Sequence, residues 1–120
     1  MNNNVNTRRK SDRLIYDVNI QCLKCISEGN IKEYESPLEI QVANISNEGL
    51  CIFTAEVFKE GVVLEFDIVL EDKLYKFISG IIVWSIMNKN RNEYGLHINT
   101  INGKFVTHID MIESRLSVII

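Results

Sequence analysis

Two arginines near the amino terminus have a spacing that lets both side chains grip one anion. Arg9 and Arg13 are separated by three residues, and Arg8 lies directly before them. A guanidinium group can bind a phosphate, or the O6 and N7 atoms of a guanine, through two parallel hydrogen bonds. Its flat face can also stack on a purine ring. Residues 8–13, called the basic arm below, are therefore predicted to bind an anion.

A second polar motif follows about thirty residues later, in the sequence Asn44-Ile-Ser46-Asn-Glu-Gly49. Asn44 and Ser46 are two residues apart at the end of an alternating strand, so they should face the same way. The asparagine amide and the serine hydroxyl suit the polar edge of a base. Gly49 is expected to permit a tight turn that a side chain would obstruct. With the basic arm, this motif indicates a site for an anionic small molecule that contains guanine.

The elements that must position these residues are mostly strands. Apolar and polar residues alternate with a period of two between short polar turns, which indicates an antiparallel barrel or sandwich. The predicted strands lie near Val18–Leu23, Leu38–Asn44, Leu50–Phe53, Leu64–Leu70, Leu74–Ile86 and Tyr94–Ile98.

The pattern changes after Asn102-Gly103 to the spacing of an amphipathic helix. Its apolar stripe consists of Phe105, Ile109, Ile112, Leu116 and Ile119. We expect this helix to close one open end of the barrel. A helix that binds a partner or a second copy of the chain is the functional alternative.

Composition limits the class of protein. A chain of 120 residues that is 46% hydrophobic is expected to fold as one globular domain. The net charge of −3 argues against a general nucleic-acid binder, but residues 1–13 carry +3 and the rest carries −6. This distribution favours a local anion site. No signal peptide and no membrane-spanning run are apparent, so we expect a cytoplasmic protein without membrane insertion.

Neither metal binding nor catalysis is predicted. Cys22 and Cys25 have the C-x-x-C spacing of redox and zinc sites, but positions i and i+3 of a regular strand point to opposite faces. Ordinary thiols are therefore expected, with zinc as the minor alternative. Ser46, His97, His108 and Asp110 supply the residue types of a catalytic triad, but without a recognisable nucleophile motif. We expect a protein that is not an enzyme and uses no cofactor.

The two polar motifs together resemble those of the PilZ domain family, which are receptors for the bacterial second messenger cyclic di-GMP. The family patterns are Arg-x-x-x-Arg, often with one more arginine in front, and Asp/Asn-x-Ser-x-x-Gly. Further along, Val83-Trp84 and the segment Tyr94–Ile98 resemble the family's Val-x-Trp and Gly-x-x-Phe strands, with Ile98 where phenylalanine is usual. The resemblance covers roughly residues 8–112.

The resemblance implies a fold and a domain organisation. The fold is mainly all-β, a six-stranded antiparallel PilZ-type β-barrel with a C-terminal α-helix. A disordered tail over residues 1–7 would precede a PilZ domain over 8–120. Within that domain the basic arm spans 8–13, the barrel about 14–100 and the helix about 103–118.

It also implies the ligand site. Arg9 and Arg13 would clasp guanine edges and phosphates, and Arg8 would stack on or pair with a second guanine. Asn44 and Ser46 would bind the other guanine, Gly49 would give clearance, and the edge of Trp84 would border the ligand. An arginine ahead of the required pair often accompanies a stacked ligand dimer, so two molecules per protomer are expected.

The implied role is that of an adaptor in second-messenger signalling, such as the control of motility or biofilm formation. Binding would order the basic arm and signal to an effector protein of unknown identity. Two alternatives stay open: a PilZ scaffold that is blind to the ligand, and a small-barrel nucleic-acid binder.

Overall fold

The structure, a computed structural model, describes residues 18–46 and 48–119. Six strands and one helix follow each other in the chain: β1 (Val18–Ser27), β2 (Asn30–Ser46), β3 (Gly49–Thr54), β4 (Val63–Leu70), β5 (Lys73–Ile86), β6 (Asn92–Ile98) and α1 (Gly103–Ile119). All strand pairs are antiparallel, and the strands close into a barrel in the order β1-β2-β3-β6-β5-β4. The predicted six-stranded barrel with a C-terminal helix is confirmed.

The barrel interior is filled by the inward side chains of the alternating strands. In β4, Leu64, Phe66, Ile68 and Leu70 are all buried, while the intervening residues are more exposed. This is the period-two pattern of a strand with one face in a core. Apolar burial of this kind is the main source of stability in a barrel that carries no disulfide among its described cysteines.

The helix α1 packs three residues of its apolar stripe into this core. Phe105, Ile109 and Ile112 are buried members of the same hydrophobic cluster as the strand residues. The Asn102 side-chain oxygen accepts the backbone N–H groups of Lys104 and Phe105, so it caps the helix at its start. The expected packing of the helix against the core therefore holds for these three residues.

A β-bulge corrects the expectation for the two nearby cysteines. The pairing of β1 with β4 places Cys22 opposite Phe66 and Cys25 opposite Leu64, with a register shift between Cys22 and Lys24. The extra residue turns both thiols toward the same, inner side of the barrel, so the prediction of opposite faces was wrong.

These thiols nevertheless carry no sign of a reactive site. Burial raises the pKa of Cys22 to about 12 and also raises that of Cys25, which disfavours the thiolate that redox and metal chemistry requires. Among the described residues, no group of three or more histidine, cysteine or acidic side chains is placed to hold a metal ion.

Candidate ligand-binding groove

Strand register brings the second polar motif together with Trp84. Residues paired across neighbouring strands project from the same face of a sheet. One row of paired residues crosses four strands on the outer face of the barrel: Asn44 of β2, Cys51 of β3, Gly95 of β6 and Trp84 of β5. Asn44 and Trp84, which are forty residues apart in the sequence, thus share one surface.

A second row lies beside the first on the same face. It contains Ser46 of β2, Gly49 of β3, His97 of β6 and Ile81 of β5. The residues between the two rows, Ile45, Leu50, Leu96 and Ile82, point inward and are buried. Asn44 and Ser46 therefore face the same way, as expected, because Ile45 between them belongs to the core.

The two rows surround an open groove of about 300 Å³. Four predicted site residues line this groove, namely Asn44, Ser46, Gly49 and Trp84. The residues of the basic arm, Arg8, Arg9 and Arg13, lie outside the described residues. Sequence reasoning did not assign the other polar and small residues of the lining, which are Glu48, Cys51, Gly95 and His97.

Gly95 is the reason that the Trp84 indole lies in this groove. A β-carbon at Gly95 would stand 2.1 Å from the indole Nε1 and 2.3 Å from Cε2. The ring therefore rests directly on the bare backbone of β6, and Trp84 is 39% exposed. A register shift between Ile82 and Trp84 makes room for it and turns Val83 outward as well. The result is a flat aromatic wall open to a ligand.

Gly49 is required by the packing of β3 on β6. A β-carbon at this position would stand 1.8 Å from the backbone oxygen of Leu96 and 3.2 Å from the Cα of His97. Strand backbone cannot move aside as a side chain can. The structure thus adds a reason that the sequence did not indicate, since the turn itself was the expected cause.

The Ser46 hydroxyl and the Asn44 amide differ in the hydrogen bonds that they already form. The Ser46 hydroxyl accepts the backbone N–H of Glu48 at 3.2 Å, which fixes the turn and leaves the hydroxyl proton free to donate. Among the described residues, no hydrogen bond engages the Asn44 amide. Its oxygen and its two N–H groups are available to a base edge.

The charges of the groove are notable for an anionic ligand. No lysine or arginine of residues 18–46 or 48–119 lines it, whereas the acidic residue Glu48 does. A bound phosphate would therefore need cations that are not part of this lining.

The described chain begins beside the groove. Val18 of β1 pairs with Val42, two residues before Asn44 on β2. Arg13 lies five residues before Val18, and five extended residues span about 17 Å. A linker of this length would be long enough for Arg13 to reach the Asn44 side chain.

The model of the PilZ domain family matches residues 7–112 of the chain, which is nearly its whole length. This chain belongs to the PilZ domain family. The family binds cyclic di-GMP as a ligand and consists generally of binding and adaptor domains. Comparisons with curated proteins and with solved structures found no significant match. Across the described part of this PilZ domain, no helix has the length and apolar character needed to cross a membrane.

Proposed function

We propose that this PilZ domain is a cyclic di-GMP receptor in which the groove and the basic arm bind one guanine and its phosphates together. The observation that carries the proposal is the row from Asn44 to Trp84, which places hydrogen-bonding groups and an aromatic ring on one surface. This surface lies beside Val18, the first described residue after the basic arm. Asn44 and Ser46 supply hydrogen bonds to the guanine edge, and Trp84 borders its ring.

The basic arm supplies the positive charge in this proposal. Because the groove lining contributes no lysine or arginine from the described residues, Arg9 and Arg13 neutralise the phosphates and grip the guanine edge. Arg8 stacks on a second guanine or pairs with it, and two stacked ligands per protomer are accommodated. Closure of the arm over the barrel creates a surface that an effector protein reads.

Calorimetric titration tests this function. We expect cyclic di-GMP to bind, with a stoichiometry of one or two per protomer, and cyclic di-AMP to give no heat. The reason is that adenine lacks the O6 acceptor and the 2-amino group of guanine, which this site is proposed to bind. Equal binding of the two nucleotides would contradict the reading of guanine. A lack of binding to both would favour the ligand-blind scaffold.

Arginine variants separate the arm from the rest of the surface. Arg9→Ala and Arg13→Ala are each expected to weaken binding about ten- to a hundredfold, since a charge-assisted hydrogen bond contributes about 1.5–3 kcal/mol. Lys104→Ala, at the exposed start of α1, removes one positive charge away from the groove and serves as the control. Wild-type affinity in either arginine variant would exclude that residue from the site.

A further inference from the structure

A third row of residues extends the outer face beyond the groove. It contains Gln41 of β2, Phe53 of β3, Glu93 of β6 and Ile86 of β5. Phe53 and Glu93 are each two residues from the row of Cys51 and Gly95, so they share its face at a distance of about 7 Å along the strands. The surface beside the Asn44 row is therefore continuous with the groove.

Arg91 contacts this extension. Its guanidinium carbon is 3.7 Å from the centre of the Phe53 ring, and the residue as a whole is exposed. Among the described residues, no carboxylate forms an ion pair with it. Its neighbour Asn92 is buried and donates a side-chain hydrogen bond to the Glu56 backbone oxygen, which anchors the chain at this point. The guanidinium thus packs on the Phe53 ring, directly before the anchored first residue of β6.

Glu93, the strand partner of Phe53, provides an oriented acceptor on this surface. Its Oε2 atom accepts the Cys51 thiol proton at 3.3 Å, which leaves Oε1 and a second lone pair of Oε2 for other donors. Burial and the adjacent Glu93 carboxylate raise the pKa of Cys51 to about 12, so the thiol stays a proton donor at neutral pH. The carboxylate is consequently oriented by the floor of the groove.

These three side chains match the chemistry of a guanine base. A guanidinium plane that is covered on one side can take a purine on its free face by cation–π and stacking interactions. A carboxylate can accept the adjacent N1–H and N2–H₂ groups of guanine, whereas adenine presents an acceptor at N1 and has no 2-amino group. The preference for guanine follows from this difference, because an unpaired acceptor pair is costly to bury.

We propose that Phe53, Arg91 and Glu93 form a second guanine subsite, which stacks the base on Arg91 and reads its N1–H and N2–H₂ edge with Glu93. This inference rests on the proposed function, because the first guanine occupies the Asn44 groove. It makes the protein selective at both bases of its ligand. It also places a cation of the barrel itself next to the ligand, in addition to those of the basic arm.

Titration with cyclic di-GMP and with the hybrid 3′,3′-cyclic GMP-AMP tests the subsite. The wild-type protein is expected to bind cyclic di-GMP about tenfold more tightly than the hybrid. Arg91→Ala should weaken cyclic di-GMP binding about tenfold, and Arg91→Lys should behave like it, because lysine keeps the charge and loses the plane. Glu93→Gln should reduce the preference for cyclic di-GMP over the hybrid. Lys89→Ala, an exposed lysine of the same loop, is the matched control.

The possible outcomes distinguish this subsite from the proposed function. Binding of cyclic di-GMP by the wild type, with Arg91→Ala and Glu93→Gln unchanged in affinity and in preference, would overturn the subsite and leave the receptor function intact. Lack of binding by the wild type would overturn both. Thermal unfolding of each free variant separates a change in the fold from a change in the subsite, and Arg91→Lys, being exposed, retains the fold.

Discussion

At the scale of single residues, the groove depends on two glycines that serve different neighbours. Gly49 allows the backbone of β3 to approach the backbone of β6, with no room for a β-carbon beside the Leu96 oxygen. Gly95 allows the indole of Trp84 to lie on β6, and a β-carbon added at Gly95 would collide with that side chain. A side chain can rotate away, whereas a strand oxygen is held by its ladder. The same substitution should therefore have different consequences at the two positions.

We predict that Gly49→Ala lowers the free energy of unfolding by about 1–3 kcal/mol, which is the usual cost of overpacking. Gly95→Ala should cost less stability but displace the indole, and so shift the fluorescence of Trp84, the single tryptophan of the chain, to longer wavelength. Urea unfolding and emission spectra measure the two effects. Gly103→Ala is the control, since nothing lies within 4 Å of its added β-carbon.

Two results would contradict this assignment. Wild-type stability in Gly49→Ala would mean that β3 and β6 are not as closely spaced as the structure indicates. An unchanged emission spectrum in Gly95→Ala would mean that the indole does not rest on β6 in solution.

At the scale of elements, a chain of polar contacts joins the helix α1 to the turn between β4 and β5. The Tyr75 hydroxyl and the His108 Nδ1 atom are 2.7 Å apart, and the His108 Nε2 atom lies 2.9 Å from a Glu71 carboxylate oxygen. Arg115 donates to the same oxygen at 2.7 Å. Tyr75 also packs edge-on against Phe105 of the core. The helix is thus held both by apolar burial and by the Glu71 carboxylate.

This contact predicts a dependence of stability on acid pH. Hydrogen bonds from Arg115 and His108 lower the pKa of Glu71 below its ordinary value of 4.5. The folded protein therefore binds fewer protons at this site than the unfolded chain. The stabilisation is present above about pH 4.5 and is lost as the pH falls through the lower folded-state value. Glu71→Gln should remove this part of the acid sensitivity.

Urea unfolding at about pH 6 and about pH 3.5, for the wild type and Glu71→Gln, checks the expectation. The wild type should lose more stability between the two conditions than the variant. Since the Glu71 side chain is 34% exposed, solvent screening keeps the difference small. Asp72→Asn, in the same turn, is the matched control. An equal loss in the wild type and in Glu71→Gln would exclude Glu71 as the source.

At the scale of the whole molecule, opposite charges are separated along the chain. Residues 1–13 carry +3, and the remainder carries −6. The groove lies on the acidic part, without a lysine or arginine in its described lining. In the proposed function, the groove and the basic arm bind the anion together, and the ligand would be the link between these two parts of the molecule.

We predict that cyclic di-GMP slows amide hydrogen exchange over Arg8–Arg13. The reason is that the phosphates and the guanine would hold Arg9 and Arg13 against the Asn44 groove. Exchange over Leu64–Leu70 should change little, because this strand is already in the barrel core, and it serves as the internal control. If the arm exchanges equally slowly with and without the ligand, the ordering step is wrong and the output should be sought at the helix α1.

Much of this architecture follows from local patterns in the sequence. The alternation in Leu64–Leu70 predicts a strand with one buried face, and the stripe from Phe105 to Ile112 predicts a helix against the core. The polar motif from Asn44 to Gly49 predicts that two side chains share a face. Each of these inferences depends only on the period of a strand or of a helix, which neighbouring residues determine.

Other features depend on the tertiary structure, because the period of a single strand or helix does not determine them. Cys22 and Cys25 share the barrel interior because a bulge adds one residue between them. The sequence around them does not predict this bulge. Cys51, Gly95 and Trp84 meet because β3 pairs with β6 and β6 with β5, in a register set by packing between distant segments. For the same reason the guanidinium of Arg91 lies on Phe53. Contacts between segments far apart in sequence arise only when the barrel closes, so only the folded molecule reveals them.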